Sequence, residues 1–204
     1  MVALAVIIAA AAVSLAAQAE PLMPLDASGR ITYFISEGAP GSGYRVGDRE
    51  LAVLALRAWE RSGGGAIRLV ESSRADALIL VNFAGAQAGN YGEMRPIAIN
   101  GRRGAEVFVR PDTDGLGPEI GGIARADPLM RDTIVYLTCV HELGHALGLN
   151  HTGSFADIMY FFGFGGDIPG FFKRYRDQIT VRADIARVAG VSESDTRKLL
   201  ALYR

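Results

Sequence analysis

His141-Glu142-Leu143-Gly144-His145-Ala146-Leu147-Gly148-Leu149-Asn150-His151 holds all three histidines of this 204-residue chain and reads H-E-x-x-H-x-x-G-x-x-H. On an α-helix, residues four apart share a face, so His141 and His145 point the same way, with ~6 Å of rise between them, and two ring nitrogens can reach one metal ion. Glu142 follows at ~100° around the helix, beside the ion and not on it, where a carboxylate can accept a proton from a water. A continuing helix would carry His151 ~15 Å along the axis. The chain therefore has to turn back, and Gly148 permits this, because glycine takes the left-handed conformation that commonly ends a helix without steric penalty. Three imidazoles and an open fourth position suit a catalytic zinc, which would lie ~2.0–2.1 Å from each nitrogen, bring the pKa of a water towards ~7 and polarise a carbonyl. The expected metal ligands are thus His141, His145 and His151, the expected cofactor is one Zn2+, and Glu142 is the expected general base.

A five-residue H-E-x-x-H also arises by chance in helices. The longer form adds a glycine and a third histidine where the turn requires them, and its flank suits a helix. Asp127-Pro128 offers an N-cap and first helical position, and Ile134, Leu137, Thr138, Val140, Leu143 and Leu147 supply an apolar side.

With these residues the chain resembles the metzincin clan of zinc peptidases, and among them the matrixins. The resemblance continues to Asp157-Ile158-Met159-Tyr160, whose Met159 follows His151 by eight residues and looks like the methionine turn beneath the metal in that clan. Leu54-Ala55-Leu56-Arg57-Ala58-Trp59-Glu60 resembles the first helix of a matrixin catalytic domain. Ala75 to Phe83 looks like its third strand, and Val191 to Tyr203 like its closing helix. The resemblance implies an α+β, metzincin-like zincin fold: a twisted mixed five-stranded sheet, an active-site helix, a methionine turn and a C-terminal helix. It also implies hydrolysis of internal peptide bonds in protein or peptide substrates, with Glu142 activating a water at the metal and passing its proton to the leaving amine. The chain departs from the clan in places. Thr152 stands where matrixins usually carry serine, and Phe161, two residues past Met159, replaces the extra tyrosine ligand of astacins and serralysins. With no further histidine, the second, structural zinc of animal matrixins is not expected. Asp112-Thr113-Asp114-Gly115 has a faint calcium-loop look but lacks the remaining ligands, so a polar turn is the preferred reading over a calcium site.

A net charge of −1, with arginines scattered among acidic residues, disfavours nucleic acid as a partner. Residues 2–17 form an alanine-rich apolar run followed by Ala17-Gln18-Ala19, which reads as a secretory signal over 1–19 with one catalytic domain over 20–204. The run lacks a basic start, so an uncleaved membrane anchor is the lesser alternative to a secreted, extracellular or periplasmic protein, expected to be a monomer. Cys139, the one cysteine, allows no intramolecular disulfide and is expected to be a small buried side chain. About ten residues between the cleavage site and the first strand leave no room for the latency-conferring propeptide that the matrixin resemblance would suggest.

Alternation and turn signals predict strands at Ile31 to Ser36, Ala66 to Glu71, Ala77 to Phe83, Pro96 to Asn100 and Ala105 to Arg110, and a helix from Val46 to Arg61 closed by Gly63-Gly64-Gly65. An edge strand at Pro96 to Asn100 could pair with extended substrate. Residues 161–190 are the least conventional part, with five of the nine phenylalanines: Phe161, Phe162, Phe164, Phe171 and Phe172. Three readings stand for them: an apolar pocket wall selecting the substrate residue after the scissile bond, a contact with lipid or a partner, or a satellite core. Two other functions stay open: a non-proteolytic secreted or anchored zinc-binding protein acting through its 161–176 segment, and hydrolysis of a non-peptide amide.

Overall fold

The computed structural model describes residues 22–85 and 91–204, so the 1–19 signal reading lies outside the described residues. The strand Arg30–Ile35 (β1) buries Ile31, Tyr33 and Ile35 on one face and leads into the helix Asp48–Ser62 (α1). Two further strands, Arg68–Glu71 (β2) and Ile79–Phe83 (β3), pair parallel with β1 on either side. The strand Gly92–Ile99 (β4) and the strand Arg102–Val109 (β5) form an antiparallel hairpin whose β5 runs parallel to β3. The order is β2-β1-β3-β5-β4, a five-stranded, mostly parallel mixed sheet with β4 on its edge. Asn100, at φ 51°, and Gly101, at φ 73°, make the two left-handed residues of the hairpin turn.

The helix Pro118–Ala126 (α2) follows, and then the long helix Pro128–Ala146 (α3). Asp127 caps α3 by accepting from the Leu129 N–H at 2.9 Å, with Pro128 in the first turn, as its sequence predicts. α3 packs against α1 and against β4 and β5, so the core lies between one sheet face and these two helices. Trp59 of α1 is fully buried there and its indole N–H donates to the Val140 carbonyl at 2.8 Å. The opposite sheet face carries a polar ladder, with Asn82 donating to Glu106 at 3.0 Å and Arg74 beside both. The helices Ile168–Arg176 (α4) and Glu193–Tyr203 (α5) close the domain, α5 with a capping box between Ser192 and Asp195.

Several expectations change in extent, β5 among them, which starts at Arg102 instead of the predicted Ala105. The edge strand begins at Gly92, four residues before the predicted Pro96, and this places it beside α3. Residues 161–190 are built around α4 and short 3-10 turns, with Phe171, Phe172 and Tyr175 buried. Cys139 is buried as expected, and that burial pushes its thiol pKa up. In the Asp112-Asp114 turn, Arg110 pairs with Asp112 at 2.9 Å and Arg125 with Asp114, so its carboxylates already hold cationic partners, in keeping with a polar turn. Among the described residues, no helix is long and apolar enough to cross a membrane.

Candidate metal centre

α3 presents His141 and His145 on one face and then stops. The stop is a Schellman motif: the Leu149 N–H donates to the Gly144 carbonyl at 3.0 Å and the Gly148 N–H to the His145 carbonyl at 2.9 Å. Gly148 sits at φ 98°, the left-handed conformation its sequence position calls for. A side chain there would also meet Met23 and Pro24 at 2.9 Å, because the segment ahead of β1 crosses the turn at this point. The reversal delivers His151, whose Nε2 lies 3.2 Å from Nε2 of His141 and 3.1 Å from Nε2 of His145.

The orientation of each ring has a local cause. His141 Nδ1 lies 2.7 Å from the Ile158 carbonyl and His145 Nδ1 lies 2.8 Å from the Leu149 carbonyl. A carbonyl only accepts, so both Nδ1 atoms donate, and the neutral rings turn their lone pairs inward at Nε2. Burial, reinforced by the neighbouring histidines, lowers the His141 pKa to about 3; burial likewise lowers His145, to about 4, and His151. Unprotonated nitrogens facing one another at such separations repel unless a cation lies between them. Tetrahedral zinc with bonds of ~2.0–2.1 Å would place its nitrogens about 3.3 Å apart, so the donor set fits the ion. Among the described residues this is the group of histidine, cysteine or carboxylate side chains close enough to share a metal, its donor atoms all within 4.8 Å of one another.

Met159 is fully buried, and its sulfur packs on α3 where Gly144 leaves no side chain; a methyl at Gly144 would overlap it. The Thr152 N–H donates to the Met159 carbonyl at 2.8 Å and the Phe161 N–H to the Thr152 carbonyl at 3.0 Å, which ties the His151 segment to this turn. One anchor escaped the sequence reading. Asp195 of α5, within the segment read from the sequence only as a closing helix, is fully buried and accepts from the Ile158 N–H at 2.8 Å, fixing the peptide whose carbonyl holds His141. The Ser-x-x-Asp spacing of Ser192 and Asp195 is the signal that marks such a cap.

Glu142 is buried beside the rings, and its carboxylate packs on the backbone of Gly92 at the start of β4. Burial, aided by the charge of Glu93, raises its pKa to about 8. The three histidines and Glu142 line one cavity of about 520 Å³, whose wall includes Leu137, Phe162, Ile168, Phe171 and Phe172. Buried Phe171 and Phe172 belong to the hydrophobic core and also line this cavity.

β4 forms the other bank. The Arg110 N–H donates to the Tyr91 carbonyl at 2.8 Å, and Gly92 stands opposite Val109. In an antiparallel ladder hydrogen-bonded pairs alternate, so Gly92, Met94 and Pro96 turn their backbone groups to the free edge. Gly92 and Met94 line the cavity. Pro96 has no N–H to offer, so the free edge loses its donor there.

No family model matches the chain. Over 139 residues it is 34% identical to the macrophage metalloelastase of Oryctolagus cuniculus, an overlap of 64% of this chain and 27% of that relative's length. Among solved structures, a chain of the GM1-bound form of the ECX AB5 holotoxin matches 86% of this chain and 80% of its own, with a TM-score of 0.56 at 17% identity. That likeness is one of fold alone.

Proposed function

We propose that this chain is a matrixin-like metzincin: a secreted zinc endopeptidase with a catalytic domain over 20–204, exported by its 1–19 segment. The observation that carries the reading is the convergence of His141 and His145 Nε2 on His151 Nε2, at 3.2 and 3.1 Å, beside a buried carboxylate, in a cleft banked by a free strand edge. The identity with a metalloelastase supports it. His141, His145 and His151 would hold the ion; when bound, zinc supplies a Lewis acid that polarises the scissile carbonyl and makes a water more acidic.

The chain's own residues do the rest. An extended peptide pairs with the free backbone groups of Gly92 and Met94, which sets the scissile bond over the histidines. The side chain after that bond enters the apolar cavity walled by Leu137, Phe162 and Phe171. Glu142 takes a proton from the attacking water and returns it to the leaving amine, and its burial favours the protonated form that it must hold between the two transfers. A purely structural zinc protein tends to close its fourth position with another side chain, and the buried Glu142 beside an open cleft argues for catalysis instead.

Purified protein should contain one zinc per chain by elemental analysis and cut casein or a peptide library internally, with cutting abolished by a chelator. Glu142→Ala should retain zinc and lose at least about a hundredfold in activity. His151→Ala should lose both. Zinc without internal cleavage would sink the peptidase reading, and a folded, zinc-free protein would sink the metal site itself.

A further inference from the structure

Phe161 and Phe164 are among the few large apolar side chains left in water, at 40% and 67% exposure. They touch each other edge to face, with ring centres 5.1 Å apart, and the Phe161 ring lies 4.8 Å from that of His151. Their backbone is held in place. The Phe164 N–H donates to the Phe161 carbonyl at 3.0 Å, the Gly165 N–H to the Phe162 carbonyl at 2.9 Å, and the Tyr160 hydroxyl to the Gly165 carbonyl at 3.0 Å. A methyl at Gly163 would overlap the Phe161 ring, so that glycine lets the ring lie flat over the turn. Two aromatic rings thus stay fixed in an exposed position, and Phe161 is itself part of the cavity wall.

The geometry points to a second specificity site: Phe161 and Phe164 form an apolar shelf at the mouth of the cavity that receives a large aliphatic or aromatic side chain next in sequence to the one filling the pocket. This rests on the peptidase reading. Side chains of an extended peptide alternate in direction, so when one points into the pocket its neighbours lie along the rim. The shelf is continuous with that rim. A lipid surface fits less well, because the nearby cations are engaged: Lys173 pairs with Asp177 at 2.6 Å, Arg176 with Asp127 at 2.7 Å, and Arg174 lies over the Phe155 and Phe171 rings. Anionic headgroups would need them free.

The test uses zinc-loaded protein and peptide pairs that differ only as Phe or Ala at each position flanking the pocket residue. Both kcat/KM and binding of labelled peptide by fluorescence anisotropy are measured. Wild type should prefer Phe at one flank by about tenfold or more, the scale of one apolar contact. Phe164→Ser should bring that ratio close to one and leave the Ala peptide unchanged within about twofold, with an unaltered melting temperature. No preference in wild type, a preference that survives in Phe164→Ser, or an equal loss on both peptides overturns the shelf. So does an unchanged preference accompanied by loss of binding to phosphatidylserine vesicles, which would assign the rings to a membrane. If peptides bind with the expected discrimination yet are not cut, the shelf stands and the peptidase reading falls.

Discussion

The hydrogen that Gly92 carries in place of a methyl decides where the Glu142 carboxylate lies. A Cβ at Gly92 would overlap that carboxylate, the movable end of a flexible side chain, so Gly92→Ala should fold and bind zinc normally while displacing the proposed base. Its kcat/KM should fall about tenfold to a hundredfold, as expected for a misplacement of about 1 Å, with the circular dichroism spectrum and metal content unchanged. Wild-type rates in that variant would mean that the packing against β4 is irrelevant to catalysis. At this scale the sequence is informative where short spacing sets geometry: His141, Glu142, His145, Gly148 and His151 lie within a few residues of one another, and their helical phase and turn follow from backbone geometry. Gly92 and Asp195 are far from that stretch in the chain. Nothing local in either position announces contact with it, because the contact exists only after the sheet and α5 have packed.

Elements show the same divide. β1, α1, β3 and α5 carry periodic apolar patterns or caps and are readable to within a few residues. α4 is not, since Pro169, Gly170 and a run of aromatic residues give it poor intrinsic helix propensity. Tertiary packing makes it a helix: Asp167 caps it by accepting from the Gly170 N–H at 2.8 Å, and Phe171, Phe172 and Tyr175 are buried in the core. α4 is also tied to α3 through Arg176, which donates to Asp127 at 2.7 Å. Burial pushes the Asp127 carboxyl up, but Arg176 and the backbone N–H groups of the α3 first turn outweigh it, so its pKa is held below 3.8. A carboxylate with a depressed folded-state pKa stabilises the fold above its unfolded value and loses that contribution as pH falls through the folded one. Asp127→Asn keeps a competent cap and removes the charge. Its deficit in urea-unfolding stability should therefore be present at pH 6 and shrink below pH ~4; a deficit constant with pH would mean that the charge contributes nothing.

For the molecule as a whole, one buried ion network joins distant parts of the chain. Arg131 at the start of α3 pairs with Asp48 at the start of α1, with one nitrogen–oxygen distance of 2.8 Å, and reaches the carbonyls of Gly43 and Pro111 at 3.3 and 3.2 Å. Its neighbour Asp132 pairs with Arg182, which donates to the Gly47 carbonyl at 2.6 Å. Arg131→Met would strand the Asp48 carboxylate, and such half-removed pairs cost about 3–5 kcal/mol; Asp48→Leu combined with Arg131→Met should recover much of that loss in chemical denaturation. Equal instability of the single and double variants would show that shape, not charge, matters there. This network was not legible in the sequence, where Asp48, Arg131 and Arg182 look like ordinary surface charges.

Trp59, the sole tryptophan, has the same whole-molecule reach. Its indole hydrogen-bonds the carbonyl just before His141, and its ring borders Gly144 where the Met159 sulfur packs. The chain therefore carries an intrinsic fluorophore packed against the helix that presents His141 and His145. Its emission, dry and blue-shifted while that packing holds, would let stopped-flow mixing with a chelator time how fast the packing around Gly144 responds to metal release, with no label attached.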